Sequence, residues 1–144
     1  MDENAVCKGR KCFFTKASID RLGHYVYNIH NLSLIHISHR EKLRPANEIA
    51  KMLIDEILSD LDYKGRDVVV MVNGMGGTPL MELYIVNNFV QDYLKEQGVH
   101  VYDTMVGNYM TSIEMAGFSL TLLRLDDDMK ALYDAPADTL AWKK

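Results

Sequence analysis

Apolar residues recur every three or four positions between residues 45 and 61, which places them on one face of a predicted helix. That face comprises Ile49, Met52, Leu53, Ile57 and Leu61. Pro45 suits the first turn of this helix, because a missing N–H leaves no hydrogen bond unmade there. The chain then breaks at Lys64-Gly65-Arg66. The run from Asp67 to Asn73 is apolar on both faces and predicts a central strand covered by helices.

A glycine-rich turn follows this strand and leads into a second amphipathic helix. Thr78 is predicted to cap that helix, with Pro79 in its first position. Gly98 suits a C-terminal cap, where a residue tolerant of positive φ is needed. A β-rich run at 99–105 completes a β-α-β unit and predicts a parallel pair of strands. The predicted buried stripe of the helix is Leu80, Leu83, Val86, Val90, Tyr93 and Leu94.

The pattern changes in the last third of the chain. Thr111-Ser112-Ile113-Glu114 fits a capping box for one short helical turn, which Gly117 ends. The run at 118–125 predicts another strand, and the short connection before it favours an antiparallel pairing and hence a mixed sheet. Asp126 is expected to cap a final helix near 127–133. The predicted fold class is therefore α/β, a mixed β-sheet flanked by helices.

Composition and charge argue against a membrane protein and against a nucleic-acid-binding protein. A chain of 144 residues, 48% hydrophobic and 25% charged, is typical of one soluble domain. Its apolar runs are far shorter than the roughly 20 residues of a membrane-spanning helix. Its start lacks the basic and apolar regions of a signal peptide, so we expect a cytoplasmic protein that does not enter the membrane. Residues 40–144 carry 11 Lys and Arg against 17 Asp and Glu, which disfavours nucleic-acid binding.

Metal binding is also disfavoured. Cys7 and Cys12 have no second cysteine pair to complete a zinc site. His24 and His30 fall outside the usual Cys2His2 spacing, so we expect free thiols. The acidic run at 126–128 is explained by a helix N-terminus without a metal ion.

Two interpretations are open for the glycine turn, whose residues are Asn73, Gly74, Gly76, Gly77 and Thr78. Backbone N–H groups at such a turn can approach an oxyanion or a partner, and the turn can equally be chosen for tight packing. No Gly-Lys-Ser/Thr follows, so the turn is not a P-loop. Pro79 stands where the dinucleotide fingerprint requires glycine.

Three other side chains are candidates for proton transfer. Glu82 and Glu114 are possible acid–base residues, but the sequence shows no partner that would shift the pKa of either. We expect Glu82 to lie on a solvated helix face. His100 lies on an alternating strand and is expected to be an ordinary surface or packed histidine.

Four ordered motifs lie in residues 39–144, namely Asn73 to Leu83, Val106 to Ser119, Leu125 to Asp127, and Asp134 to Pro136. Together they resemble the C-terminal part of the K subunit of dihydroxyacetone (glycerone) kinase. The resemblance covers about three quarters of the chain. It implies a cytoplasmic homodimer of glycerol metabolism that binds dihydroxyacetone, with the glycine turn bordering the substrate region. It also implies that this chain holds no cofactor, because ATP and Mg, or a phosphoenolpyruvate-fed relay, serve the nucleotide-binding L subunit or domain.

The resemblance also implies a nucleophile that this chain lacks. In that family a histidine, within a segment reading Gly-Ile-His-Gly-Glu-Pro-Gly, holds the substrate carbonyl as a hemiaminal. Alignment on residues 39–45 puts that histidine at Ser33, and His36 lies three residues out of register. We therefore expect a kinase-subunit fragment that is inactive alone. The alternative is a non-catalytic, coactivator-like or protein-interaction module of the same family.

Residues 1–38 do not match the family. Residues 32–38 resemble one reading frame of the transposon-end adapter used to prepare sequencing libraries. We interpret 1–38 as a chimeric or adapter-derived head and 39–144 as a partial dihydroxyacetone kinase K domain. The alternative is a natural, divergent paralogue with a replaced head. A partial sheet domain is also expected to expose apolar surface and to self-associate.

Overall fold

The computed structural model describes residues 13–19, 24–31, 36–42, 44–140 and 142–144, the first three ranges as strands only. Cys7, Cys12 and Ser33 lie outside the described residues. The strands are β1 (Phe13–Ile19), β2 (His24–Asn31), β3 (His36–Lys42), β4 (Asp67–Gly74), β5 (His100–Gly107) and β6 (Gly117–Leu125). The helices are α1 (Ala46–Asp60), α2 (Leu80–Glu96) and α3 (Asp127–Asp134).

The strands form one mixed sheet in the order β3-β2-β1-β6-β4-β5. The pair β4 and β5 is parallel, as the β-α-β pattern predicted, and β6 runs antiparallel to β4, as the short connection predicted. These pairings confirm the predicted fold class. The strands β1, β2 and β3 continue the sheet beyond β6 in antiparallel pairs, where the hydrophobic pattern predicted no regular element.

Helices α1 and α2 pack on one face of the sheet and enclose the core. The predicted stripe of α1 is confirmed, since Ile49, Leu53 and Ile57 are buried. The stripe of α2 is confirmed, with Tyr93 partly buried, except at Leu80, the first residue of the helix, which is 49% exposed. The largest fully buried side chains include Leu53, Ile54, Ile57, Val68, Val70, Val72, Leu83, Leu94, Leu120 and Leu122. No helix in the described ranges is long and apolar enough to cross a membrane.

The helix ends test the predicted caps. Asp126 caps α3 as expected, because its side chain accepts a hydrogen bond of 2.8 Å from the Met129 N–H. Gly98 follows α2 with a φ of +73°, which confirms the predicted positive φ. The predicted cap of α2 is wrong. Pro79 is the N-cap residue of α2 and there is no side-chain cap, since the Thr78 hydroxyl bonds elsewhere.

Candidate functional site

Two loops meet at the carboxyl ends of the parallel strands β4 and β5. Residues 74–79, which we call the glycine loop, connect β4 to α2, and residues 108–116, the facing loop, connect β5 to β6. Open α/β sheets place binding sites at this edge. The two loops therefore form the candidate site.

Asn73 holds the start of the facing loop from a position that is 0% exposed. Its Oδ1 accepts hydrogen bonds from the N–H groups of Tyr109, at 2.8 Å, and Met110, at 2.9 Å. Its Nδ2 donates to the Met110 carbonyl oxygen at 2.7 Å and to Ser119 Oγ at 3.1 Å. These four bonds use the whole capacity of the amide. Asn73 thus lies at the candidate site and fixes the backbone of the facing loop, and its amide has no hydrogen bond left for a ligand.

Thr78 ties the glycine loop to the start of β6. Its Oγ1 donates to the Gly117 carbonyl oxygen at 2.8 Å and accepts from the Gly117 N–H at 2.7 Å. Both bonds cross between segments that are 39 residues apart in the sequence. This pairing is the physical reason that Thr78 does not cap α2.

Backbone bonds join the two loops along their length. The Met75 N–H donates to the Gly117 carbonyl oxygen at 3.1 Å, and the Gly77 N–H donates to the Met115 carbonyl oxygen at 3.0 Å. The Met75 carbonyl oxygen accepts from the Met115 N–H at 3.1 Å and from Ser112 Oγ at 2.7 Å. The N–H groups of Met75 and Gly77 are therefore already satisfied and do not face a ligand.

These bonds also correct the prediction for residues 111–114. The capping box is wrong, because this segment of the facing loop contains no helical turn. Thr111, which would be the capping residue, donates its hydroxyl to the Ser112 carbonyl oxygen at 3.3 Å, and Ser112 donates its hydroxyl to the Met75 carbonyl oxygen. The loop bends at residues 113 and 114 and then forms a bridge between Met115 and Gly76.

The glycines allow the loops to approach closely. Gly76 has a φ of +97°, and a Cβ there would overlap the Ser112 carbonyl oxygen. A Cβ on Gly77 would lie 2.9 Å from the Met115 carbonyl carbon, and one on Gly74 would overlap the Asn108 side chain. Tight packing thus accounts for Gly74, Gly76 and Gly77.

A cavity of about 290 Å³ lies beside the glycine loop, between the first turns of α1 and α2. Its walls are mostly apolar and include Ile49, Pro79, Val86 and Phe118. Glu82, whose side chain is exposed as predicted, is the carboxylate among the lining residues. The volume is at the lower end for ligand pockets, which suits a small molecule.

The remaining candidates lie away from this cavity. His100 is at the opposite end of β5, where its Nδ1 contacts the Asp67 carboxylate. The hydrogen bond from Lys130, followed by that from His100, lowers the pKa of Asp67. Glu114 is exposed on the facing loop, and His24, His30 and His36 lie in β2 and β3. Among the described residues, no group of three or more His, Cys, Asp or Glu could hold a metal ion.

Ser119 is a contact that the sequence reasoning missed. It is 0% exposed and accepts a hydrogen bond from Asn73. A serine within the apolar run of β6 was the available signal, because a buried hydroxyl needs a partner.

Comparison with known proteins places these loops in a family. The Dak1 domain model matches residues 36–141. The "PTS-dependent dihydroxyacetone kinase 1, dihydroxyacetone-binding subunit DhaK" of Listeria innocua is 50% identical over 105 residues, which are 72% of this chain and 32% of that protein. The chain therefore spans about a third of the length of this curated relative.

Two solved structures share the fold. The "Dihydroxyacetone kinase operon co-activator Dha-DhaQ" has a TM-score of 0.77 and 26% identity, over 92% of this chain and 45% of that one. The dihydroxyacetone kinase from C. freundii, in complex with AMP-PNP and Mg2+, has a TM-score of 0.65 and 18% identity, over 92% of this chain and 26% of that one. The second likeness concerns the fold alone.

Proposed function

Because the chain belongs to the Dak1 domain family, we propose that it is part of the dihydroxyacetone-binding subunit of a dihydroxyacetone kinase. The observation that carries the proposal is the extent of the family match. Residues 36–141 include the whole glycine loop, the whole facing loop and every residue that joins them. The proposed product of the complete kinase is dihydroxyacetone phosphate.

The proposed role of the described domain is to shape one wall of the substrate region. Asn73 and Thr78 fix the two loops, and Gly74, Gly76 and Gly77 let them close on each other. The covalent step belongs to a histidine outside this wall: its ring nitrogen adds to the substrate carbonyl carbon, and a proton passes to the carbonyl oxygen. Since Ser33 stands at that position, we propose that this chain is inactive alone.

The phosphoryl donor is proposed to reside on the partner. The glycine loop lacks the Gly-Lys-Ser/Thr of a P-loop, and its N–H groups at Met75 and Gly77 already bond to the protein. From the family resemblance, we propose that ATP and Mg, or a phosphoenolpyruvate-fed relay, serve the nucleotide-binding L subunit or domain. ATP or the relay would supply the phosphate, and the residues of this chain would only border dihydroxyacetone, the acceptor.

Apolar side chains on α2 support a contact with another protein. Leu80, Met81, Tyr84 and Ile85 are between 49% and 75% exposed. A group of exposed apolar side chains of this kind is typical of an interaction surface. We propose that the complete protein is a cytoplasmic homodimer of glycerol metabolism that also meets the L subunit.

The first test is to read the source DNA, with unbroken reads across the codons for residues 20–60. We propose that residues 1–38 are a joined head, because residues 1–35 lie outside the family match and residues 32–38 resemble an adapter reading frame. The expected result is a Gly-x-His-Gly-Glu-Pro-Gly segment upstream of His39 in place of the adapter-like run. Persistence of the present sequence would overturn the proposal of a joined head.

The second test is intact-mass spectrometry of the protein that the source gene encodes, with and without dihydroxyacetone. Hemiaminal formation adds one whole substrate molecule, because no atom leaves. We expect this gain for the protein with the family histidine, and none for its histidine-to-alanine variant or for the present chain. Absence of the gain in the histidine-containing protein would contradict the proposed function.

A non-catalytic interaction module is the second candidate, and one observation favours it. Over the same 92% of this chain, the fold is closer to the co-activator, with a TM-score of 0.77, than to the kinase from C. freundii, with a TM-score of 0.65. Size-exclusion chromatography of the protein that the source gene encodes, mixed with the L subunit and followed by mass analysis of the complex with dihydroxyacetone, separates the candidates. A stable complex without an adduct favours the module.

A further inference from the structure

The C-terminal segment folds back on itself beside α3. The Lys144 N–H donates to the Ala137 carbonyl oxygen at 2.8 Å, and the Thr139 N–H donates to the Trp142 carbonyl oxygen at 2.8 Å. The Trp142 N–H donates to Thr139 Oγ1 at 2.9 Å. We call residues 137–140 and 142–144 the C-terminal arm. These bonds hold the backbone of Trp142 in a turn.

The arm rests on α3 through charged and aromatic contacts. Lys144 Nζ lies 2.7 Å from Asp134 Oδ1 and 3.5 Å from the centre of the Tyr133 ring. Tyr133 in turn donates to Asp103 Oδ2 at 2.7 Å, and Tyr102 donates to Asp134. Burial, and then the Asp103 bond, raise the pKa of Tyr133, which keeps its hydroxyl a donor. Since α3 has no buried residue, these polar bonds contribute much of its attachment to β5.

Trp142 connects this arm to the candidate site. Its ring packs edge-to-face against Tyr109, with centroids 6.3 Å apart, and lies 6.5 Å from the Tyr133 centroid. The Tyr109 ring covers Gly107, where an added Cβ would lie 3.3 Å from the ring. The Tyr109 N–H is bonded to Asn73. Two contacts therefore hold Tyr109: Trp142 of the arm packs on its ring, and Asn73 bonds its backbone N–H.

We propose that Trp142 is a positioning residue for the facing loop. By packing on Tyr109 it holds the N–H groups of Tyr109 and Met110 against Asn73, and so sets the shape of the candidate site from outside it. The proposal concerns the loop itself and holds whichever ligand or partner the site takes. Its test therefore needs no dihydroxyacetone and can fail independently of the proposed function.

Amide hydrogen exchange of the full chain, resolved by residue, tests the coupling. Trp142→Ala is expected to speed exchange at the Tyr109 and Met110 amides by about threefold to tenfold, which corresponds to the usual contribution of an aromatic pair to stability. Trp142→Phe should restore much of the protection, because a ring still reaches Tyr109. Leu140→Ala is the matched control, since that arm residue is fully exposed and should leave the rates unchanged.

Two outcomes of this experiment would overturn the proposal. The first is unchanged exchange at both amides in Trp142→Ala, which would mean that the ring does not hold the loop. The second is an equal acceleration at the core amides of Val70 and Leu122, which would mean that the substitution destabilises the whole domain.

Replacing the other ring of the pair, Tyr109, gives an independent spectroscopic test. The chain contains 1 Trp, so its emission reports on the arm alone. Tyr109→Ala is expected to move that emission to longer wavelength, because the indole loses a covering ring and gains water. An emission spectrum identical to that of the parent chain would contradict the coupling.

Discussion

Replacing Asn73 with alanine removes four hydrogen bonds that converge on one buried amide. Three of them hold the backbone of Tyr109 and Met110, and the fourth holds Ser119. The substitution leaves these groups without partners and leaves a space at the end of β4. It therefore tests directly whether the amide shapes the candidate site.

The magnitude follows from the number of bonds and the exposure of their partners. A typical intramolecular hydrogen bond contributes about 0.5–1.5 kcal/mol net, so four independent bonds would total about 2–6 kcal/mol. Tyr109 and Met110 lie in an exposed loop, where their backbone groups can bind water after the substitution. We therefore expect Asn73→Ala to lower the free energy of unfolding by about 2–4 kcal/mol.

Urea unfolding, followed by far-UV circular dichroism, measures this loss. With a typical slope for a small domain, the midpoint should fall by about 1–2 M. Ser119→Ala removes a single bond and should cost about 1 kcal/mol. Asn88→Ala, at an exposed position on α2, should stay within about 0.5 kcal/mol of the parent chain. The reasoning is refuted if Asn73→Ala matches Asn88→Ala, or if Ser119→Ala alone costs as much as Asn73→Ala.

Three further substitutions test other contacts. Thr78→Val should lower the free energy of unfolding by about 1–3 kcal/mol, because it breaks both bonds to the start of β6, whereas Thr78→Ser should retain most of the stability in the same urea assay. Gly76→Ala should lower the free energy of unfolding more than Gly65→Ala, because both glycines have positive φ but only Gly76 faces a backbone oxygen of the other loop. Equal urea midpoints for the two variants would refute the packing argument. Because Lys130, and then His100, depress the folded pKa of Asp67 below its ordinary 3.8, its stabilising contribution is present above about pH 4 and is lost as the pH falls through the folded pKa. Lys130→Met should flatten this part of the acid titration of the unfolding midpoint, and an unchanged titration would exclude the pair as its source.

Much of the domain after residue 44 was predictable from patterns within single segments. The stripe of α1 and the apolar run of β4 report burial directly, because neighbouring turns of a helix and alternate residues of a strand share faces. The Asp126 cap and the positive φ at Gly98 were equally local, since each depends on residues at most three or four positions away. The location of the glycine loop followed from the order strand, turn, helix.

Within the candidate site, the sequence indicated which residues belong there but not what they do. Thr78 had a local role available as a helix cap, and Ser112 lay within a predicted helical turn. Each hydroxyl instead bonds to a backbone group more than 35 residues away. The same holds for Asn73, whose partners lie beyond β5.

The sequence by itself thus determined the helices and strands from α1 to α3, the β-α-β crossover and the position of the loops, because those depend on short-range periodicity and on glycines that tolerate close approach. Only the tertiary structure decided how the polar groups of the loops pair. Once β6 lies antiparallel to β4, it brings Gly117 and Ser119 beside the glycine loop. A hydroxyl or amide then bonds to the group that burial would otherwise leave unsatisfied, and this demand outweighs a local cap that water could replace.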